Sequence, residues 1–144
     1  MKEVLNKLKE FHSTYGHPIE SEPTTQTQEM AELRYKLAKE ELDEYLEANR
    51  NDDPIEVADA LADQLYILLG TMLVHGMHDV IEDVFNEVHR SNMSKLGEDG
   101  KPILREDGKV MKGPNYTRPE LGSIISKVWK QKRAQLNIPF NEEV

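Results

Sequence analysis

The sequence predicts an all-α protein, an antiparallel helix bundle that forms one domain over residues 1–144. The chain has 144 residues, which is close to the commonest size of a single domain. With 38% hydrophobic and 31% charged residues it is too apolar for disorder, and with 8 Gly and 7 Pro it has few turn residues for a many-stranded fold. Apolar residues also recur at helical spacing through most of the chain, which favours helices throughout.

Start and stop residues bound the first two helices. The apolar spacing predicts a helix over about residues 2–15, and Gly16 ends it. A polar loop follows, and we expect Thr25 or Thr27 to cap a second helix that runs to about Asn49.

The next two helices follow after short turns. Asp53 before a proline predicts the capped start of a third helix over about residues 54–75, with Gly76 as its stop. We expect Asp79 to cap a fourth helix that keeps the same apolar spacing to about Ser91.

The C-terminal part of the chain has a different pattern. An Asp-Gly step at 107–108 lies between two short apolar stretches, which is typical of a tight hairpin, so we expect a short β-ribbon near residues 103–112. A last helix is expected to begin near Pro119, and the tail after Asn137 is expected to be loose.

Charge and composition exclude several classes of function. A net charge of −9 disfavours non-specific binding to nucleic acid and to anionic membranes. The chain has no Cys, which excludes disulfides, cysteine zinc sites and thiol nucleophiles. The N-terminus has no unbroken apolar stretch or cleavage site typical of a secretion signal, so we expect a cytoplasmic protein.

The charge is distributed unevenly along the chain. Residues 95–133 contain ten of the 18 Lys and Arg and only five acids, a local net charge of +5 against −14 for the rest. An acidic body with a basic segment can bind cations at one place and the phosphates of a small ligand at another.

Acidic residues interrupt the apolar stripes of the second and third helices. At helical spacing Glu40, Glu41 and Glu44 fall within an arc of roughly 100° that includes the apolar positions before them. Taken alone, such a run is more often a solvated face, because Glu forms helices well and points at water.

The third helix changes this interpretation. Its charged residues are Glu56, Asp59 and Asp63, which lie within about 60° of one another, and its other faces are apolar. A helix that is apolar nearly all round is expected to be buried, and these acids with it. Because buried carboxylates without partners cost several kcal/mol each, either they are protonated or a cation neutralises them.

A short turn between the two helices is expected to bring both sets of acids together. Clustered carboxylates without His or Cys favour Mg²⁺ or Mn²⁺, and neutralisation by basic neighbours is the alternative. Mg²⁺ held by few carboxylates keeps positions open for substrate phosphates, which favours a nucleotide di- or triphosphate as substrate. The chain contains no Gly-x-x-x-x-Gly-Lys loop, so the phosphates would meet basic residues of the later segment instead: Lys95, Lys101, Arg105, Lys109 and Lys112.

These residues resemble a known family. The pattern Glu40-Glu41-x-x-Glu44 followed by Glu56-x-x-Asp59 is similar to the signature of the MazG-like superfamily of all-α nucleoside triphosphate pyrophosphohydrolases. That superfamily includes phosphoribosyl-ATP pyrophosphohydrolase and dimeric dUTPase. The later stretches 88–95, 99–102 and 108–116 resemble the small bacterial and phage members, and the likeness extends over roughly residues 30–121.

The resemblance implies Mg²⁺-dependent hydrolysis of a nucleoside triphosphate, more specifically a deoxy one, to the monophosphate and pyrophosphate. It implies Glu41, Glu44, Glu56 and Asp59 as metal ligands, and Glu40 as the residue that orients or deprotonates the attacking water. Asp63 would support these ligands from one turn beyond. Asn92 and Lys95 would contact phosphate or sugar, with Lys109, Lys112 and Tyr116 as weaker candidates. The resemblance also implies a homodimer or homotetramer.

Two other functions fit the same sequence. Phosphoribosyl-ATP pyrophosphohydrolase shares the acidic signature, although the basic segment and the last helix favour a general nucleotide substrate. The other alternative is a non-catalytic helical module whose acids form a surface patch for a partner protein.

Overall fold

The computed structural model describes residues 1–135 and shows an all-α fold, which confirms the predicted fold class. The predicted loose tail after Asn137 lies outside the described residues. The helices are α1 (Lys2–Tyr15), α2 (Gln28–Arg50), α3 (Pro54–Val74), α4 (Ile81–Met93) and α5 (Leu121–Gln135).

The chain divides into two compact units. The first, Met1–Asp79, contains α1, α2 and α3, and the second, Val80–Val144, contains α4 and α5. That the whole chain 1–144 acts as one domain stays a prediction.

Most of the predicted helix ends are confirmed. Gly16 ends α1 with a left-handed conformation, φ 71°, which glycine adopts without strain. The Thr27 side chain accepts a hydrogen bond from the Met30 backbone N–H at the start of α2. The Asp53 side chain accepts from two backbone N–H groups of the first turn of α3. Such caps satisfy donors that a helix start leaves unpaired.

The prediction that Asp79 caps α4 is wrong. The N-cap position is Val80, one residue later, and no side-chain hydrogen bond caps this helix. The reason is that the Val80 carbonyl already accepts the first helical bond, from Val84 N–H at 2.9 Å, so Asp79 lies outside the capping position.

The first unit is built around an antiparallel α2–α3 pair, with α1 packed on α3. Its core consists of Leu5 and Leu8 from α1 and Leu69, Leu73 and Val74 from α3, all of them buried. Each such side chain contributes about 1.5–3 kcal/mol when it is fully buried. The core therefore fixes the C-terminal half of α3 and leaves the α2–α3 turn at the other end of the pair.

The expectation that α3 is buried on all sides is wrong for the single chain. Leu61, Leu65 and Leu68 are each about half exposed, at 50%, 49% and 52%. The physical reason is that, among residues 1–135, the helices that pack most on α3 are α1 and α2, and they leave these leucines uncovered. By length and composition alone, α3 is also the one helix among residues 1–135 that could cross a membrane.

The predicted β-ribbon near residues 103–112 is wrong beyond its turn. The Gly108 N–H donates to the Arg105 carbonyl at 2.9 Å, so the tight turn forms. Beyond it there is a single antiparallel bridge, between Leu104 and Val110, and the described residues contain no strand. Both bridge side chains are exposed, and a two-stranded pair without a buried face gains too little to extend.

Candidate active site on helices α2 and α3

The acidic residues of α2 and α3 form one acidic edge along the helix pair. A tight turn at residues 51–53 reverses the chain, with Asp52 at φ 53°, a conformation that Asp tolerates better than most residues. The Asp53 N–H donates to the Ala48 carbonyl at 3.1 Å, which ties the start of α3 to the end of α2. We use acidic edge for the six acids Glu40, Glu41, Glu44, Glu56, Asp59 and Asp63.

Glu41 experiences the charges of both helices. Burial, first, and four neighbouring carboxylates raise the pKa of the Glu41 carboxyl above its ordinary value. In order of their effect the four are Glu44, Asp63, Glu40 and Asp59. The structure thus brings four of the other five predicted acids, from both helices, within electrostatic reach of Glu41.

The Glu41 carboxylate also lacks a hydrogen-bond partner. Its Oε2 atom is buried and accepts no hydrogen bond. In the part of the chain that the structure describes, no ion pair involves any acid of the edge, whereas Asp43 next to them pairs with Lys39. The alternative of neutralisation by a basic neighbour is therefore disfavoured, and a bound cation would relieve both the repulsion and the desolvation.

The other acids do not face inward as predicted. Glu40, Glu44, Glu56, Asp59 and Asp63 are exposed, and Glu41 alone is half-buried. The reason is that near the turn the buried residues of the two helices are Ala48 and Ala60, so small side chains fill the centre and the acids line its rim.

A cavity of about 380 Å³ lies beside the turn. Three predicted metal ligands, Glu44, Glu56 and Asp59, line it. Sequence reasoning missed Glu47 and Asn51, which also line it. Glu47 lies three residues after Glu44 on the same helical stripe, so its spacing was a signal for it, whereas Asn51 in the turn carries no such signal.

The four predicted metal ligands are all carboxylates, the donors that a hard divalent cation prefers. Glu41, whose Oε2 is buried and unpartnered, is the one of the four that does not line this cavity. Within residues 1–135, however, no group of three or more His, Cys, Asp or Glu side chains converges on a common point. The metal site therefore stays a prediction.

The predicted substrate-binding residues all lie in the second unit. Asn92, near the end of α4, is exposed, and Lys95 behind it is half-buried. Lys109 is exposed beside the tight turn. The structure brings together Lys112 and Tyr116, with the Lys112 Nζ 4.5 Å from the centre of the Tyr116 ring, a cation–π contact.

A second surface of the α2–α3 pair is an apolar edge, and Gln64 also lines it. A groove of about 580 Å³ follows it, and its lining includes the exposed side chains of Tyr35, Leu42, Leu65 and Leu68. Exposed apolar surface of this kind marks an interaction site more often than a free surface.

Arg34 lies at the far end of the pair from the turn. Its Nε donates to Thr71 Oγ1 at 2.9 Å and its Nη2 to the Ile67 carbonyl at 2.5 Å, so it joins α2 to α3. Burial lowers the pKa of its guanidinium. A Cβ on Gly70 would lie 2.9 Å from Arg34 Nη2 and 3.0 Å from His12 Nε2, so this glycine makes room for both.

Fold and site together define an all-α protein with an edge of clustered carboxylates along its α2–α3 pair. The chain belongs to the phosphoribosyl-ATP pyrophosphohydrolase family, whose sequence model matches residues 8–92. This membership confirms the resemblance to the all-α pyrophosphohydrolases. It supports hydrolase chemistry at a phosphoanhydride bond.

No curated protein matches the chain. Among solved structures, the chain is similar to a protein from Exiguobacterium sp. 255-15 that has been assigned by inference as an NTP pyrophosphohydrolase. The two share 25% sequence identity, with a TM-score of 0.48. The similarity covers 90% of this chain and 96% of that chain.

Proposed function

We propose that the protein is a Mg²⁺-dependent pyrophosphohydrolase that converts a nucleoside triphosphate, ribo or deoxy, to the monophosphate and pyrophosphate. The observation that carries the proposal is the buried, unpartnered Oε2 of Glu41 in the middle of carboxylates from two helices. A protein with no use for a cation gains nothing from this arrangement, because like charges and desolvation both oppose it.

Each acid has a role in the proposal. Glu41 and Glu44 from α2 and Glu56 and Asp59 from α3 hold Mg²⁺, or Mn²⁺ in its place. A bound cation of this kind neutralises phosphate charge and lowers the pKa of a bound water. Glu40 orients or deprotonates the attacking water. Asp63, one turn beyond Asp59, supports the ligands.

The substrate is held by groups that carry positive charge or hydrogen-bond donors. Lys112 stacked on Tyr116 forms a charged and aromatic pair that suits a phosphate beside a sugar or a base. The other groups proposed to contact phosphate or sugar are Asn92, Lys95 and Lys109. The protein needs no nucleic-acid or membrane partner for this reaction, and we propose that it acts in the cytoplasm.

We propose that the protein is a homodimer or homotetramer that covers the apolar edge. Leu42, Leu65 and Leu68 are about half exposed in the single chain, which burial against a second copy would relieve. Light scattering on the purified protein is expected to give a dimer or larger, and Leu65→Lys is expected to shift it toward monomer. A wild-type monomer at micromolar concentration contradicts this part of the proposal.

Phosphoribosyl-ATP is the second candidate substrate. The observation that favours it is the family match, since that family takes its description from this activity. Both substrates carry the same triphosphate chain, so the acidic edge does not separate them.

The test is turnover of a substrate panel. The purified protein is incubated with each NTP and dNTP and with phosphoribosyl-ATP, in Mg²⁺ and in EDTA, and the products are separated by chromatography. We expect a monophosphate and pyrophosphate from an NTP or dNTP, and loss of both in EDTA and in Glu41→Gln.

Asp43→Asn is the matched control, because Asp43 lies among the acids of α2 but pairs with Lys39. It is expected to retain wild-type turnover. Turnover of phosphoribosyl-ATP alone would support the second candidate. No turnover of any substrate by folded protein, or full turnover by Glu41→Gln, would contradict the proposal.

A further inference from the structure

Side-chain hydrogen bonds join α2 to α3 at two places among the described residues. One is the Arg34 contact with Thr71 and the Ile67 carbonyl, at the far end of the pair from the turn. The other lies at the acidic edge, where Gln64 Nε2 donates to the Glu41 backbone carbonyl at 3.2 Å. Gln64 directly follows Asp63 in α3, and Glu41 is the residue whose carboxylate oxygen has no partner. The second bond therefore joins two neighbouring parts of the acidic edge.

The Gln64 bond is not needed for α2 itself. The Glu41 carbonyl lies in the interior of a helix of 23 residues, where the N–H four residues later already uses one of its two lone pairs. The second lone pair accepts from another helix. The bond therefore places Gln64 of α3 opposite Glu41, and so contributes to where Asp59 and Asp63 lie relative to it.

Between the Gln64 bond and the turn, little apolar area is buried between the two helices. The buried residues near the turn are Ala48 and Ala60, whose side chains contribute little apolar area. The carboxylates of both helices repel one another across the same contact. The turn at 51–53 and the Asp53–Ala48 bond tie the two helices together at one end, and the Gln64 bond adds a directional contact between them beside Glu41.

We propose that Gln64 is a positioning residue for the acidic edge: its bond to the Glu41 carbonyl keeps the acids of α2 in register with those of α3, so that one cation is held from both helices. The inference rests on the proposed function. It differs from it because Gln64 offers no ligand to the metal and no contact to the substrate.

The test is Gln64→Met, which keeps the length of the side chain and removes the donor. Gln26→Met is the matched control, since Gln26 Nε2 makes the same kind of bond, to the Val74 carbonyl at 2.7 Å, outside the acidic edge. Mn²⁺ affinity is measured on the full-length proteins by electron paramagnetic resonance, together with the Mg²⁺ concentration for half-maximal turnover.

We expect Gln64→Met to weaken Mn²⁺ binding about 10- to 100-fold, the size of effect that partners of metal ligands produce. The Mg²⁺ requirement rises in parallel, while the substrate KM at saturating Mg²⁺ stays near wild type. Each variant loses one hydrogen bond, so both are expected to lower the melting temperature by a similar amount. Gln26→Met is expected to leave the Mn²⁺ affinity within about twofold of wild type. A merely structural role would not separate the two variants in this way.

Two results would overturn the inference: Gln64→Met with wild-type Mn²⁺ affinity, or Gln26→Met with an equal loss. If Gln64→Met does not fold, Gln64→Asn replaces it, because its amide is one methylene too short to reach and the same loss is expected. Wild-type protein that binds no Mn²⁺ would instead refute the proposed function, so the two failures are distinguishable.

Discussion

Arg34 and Glu41 are two desolvated charges on the same helix, about two turns apart, and the protein treats them differently. Burial shifts both toward the neutral form, since it lowers the pKa of Arg34 and raises the pKa of Glu41. Arg34 donates hydrogen bonds to Thr71 and to a backbone carbonyl of α3. Glu41 Oε2 has no partner and lies near four other carboxylates.

This difference suggests that Arg34 stabilises the α2–α3 pair, whereas Glu41 serves the proposed function. The Arg34 end is complete, because the fold itself supplies acceptors for the cation. At the Glu41 end the fold instead places further carboxylates near a partly buried carboxylate that lacks a partner. The proposed cation would offset this negative charge at the Glu41 end, and substitutions at the two ends are therefore expected to act on different quantities.

The largest expected effect is on turnover at the acidic edge. Glu41→Gln and Asp59→Asn are each expected to lower kcat/KM by on the order of 100-fold or more, because a catalytic metal contributes several kcal/mol to the transition state. Steady-state kinetics at saturating Mg²⁺ measure this. Wild-type kinetics in either variant would mean that the unpartnered carboxylate has no part in the reaction.

The next effect is on stability at the other end. Arg34→Met removes the bonds to Thr71 and Ile67 and is expected to lower the free energy of unfolding by about 1–3 kcal/mol. Urea denaturation in the absence of metal measures it. The comparison breaks down if Arg34→Met leaves stability unchanged while it abolishes metal binding.

Glu41→Gln is expected to do the opposite in metal-free protein. The pKa of Glu41 is raised in the fold, so the folded state binds this proton more readily than the unfolded state, and wild-type stability rises as pH falls through the raised pKa toward the ordinary value of 4.5. The neutral amide supplies this gain at pH 7, so we expect a higher melting temperature than that of metal-free wild type.

Added Mg²⁺ is expected to reverse the order of the melting temperatures of wild type and Glu41→Gln. Added Mg²⁺ is expected to raise the melting temperature of wild type and not that of Glu41→Gln, because a ligand stabilises only the state that binds it. Scanning calorimetry with and without Mg²⁺ separates the cases. Equal Mg²⁺ shifts in both proteins would place the cation elsewhere.

The smallest effect concerns His12, beside Arg34. Burial lowers its pKa below the ordinary 6.5, and the charges of His17 and Arg34 add to this, while its bond to the Pro18 carbonyl at 3.0 Å opposes it. The unfolded state therefore takes up this proton first, and stability is expected to fall as pH decreases through about 6.5. Urea midpoints at pH 7.5 and 5.5, for wild type and His12→Gln, measure the difference. If the urea midpoint of His12→Gln falls as much between pH 7.5 and 5.5 as that of wild type, groups other than His12 cause the loss of stability.

The helices and most of their ends could be predicted because the signals are local. Thr27, Asp53 and Gly16 act on their own helix termini, and their residue types are sufficient to predict the caps. The extent of burial around α3 could not be predicted, since it depends on how many neighbours a helix has. The β-ribbon failed for the same reason: its turn is local, but a strand needs a partner surface.

For the candidate site, helical spacing predicted which acids share an edge, but not which of them lose water. That only Glu41 is half-buried depends on the small residues Ala48 and Ala60 at the centre of the pair. Gln64 and Arg34 carried no signal at all, because each bonds to groups on the facing helix whose position no linear pattern records.

The central claim is that a divalent cation occupies the acidic edge at Glu41. Crystals of the full-length protein grown with Mn²⁺, and measured at the manganese absorption edge, test it directly by an anomalous difference map. The account predicts one or more peaks at about 2.0–2.3 Å from a Glu41 carboxylate oxygen, with further oxygen ligands from both α2 and α3. An occupied manganese site elsewhere on the chain, with Glu41 still unpartnered, would contradict it.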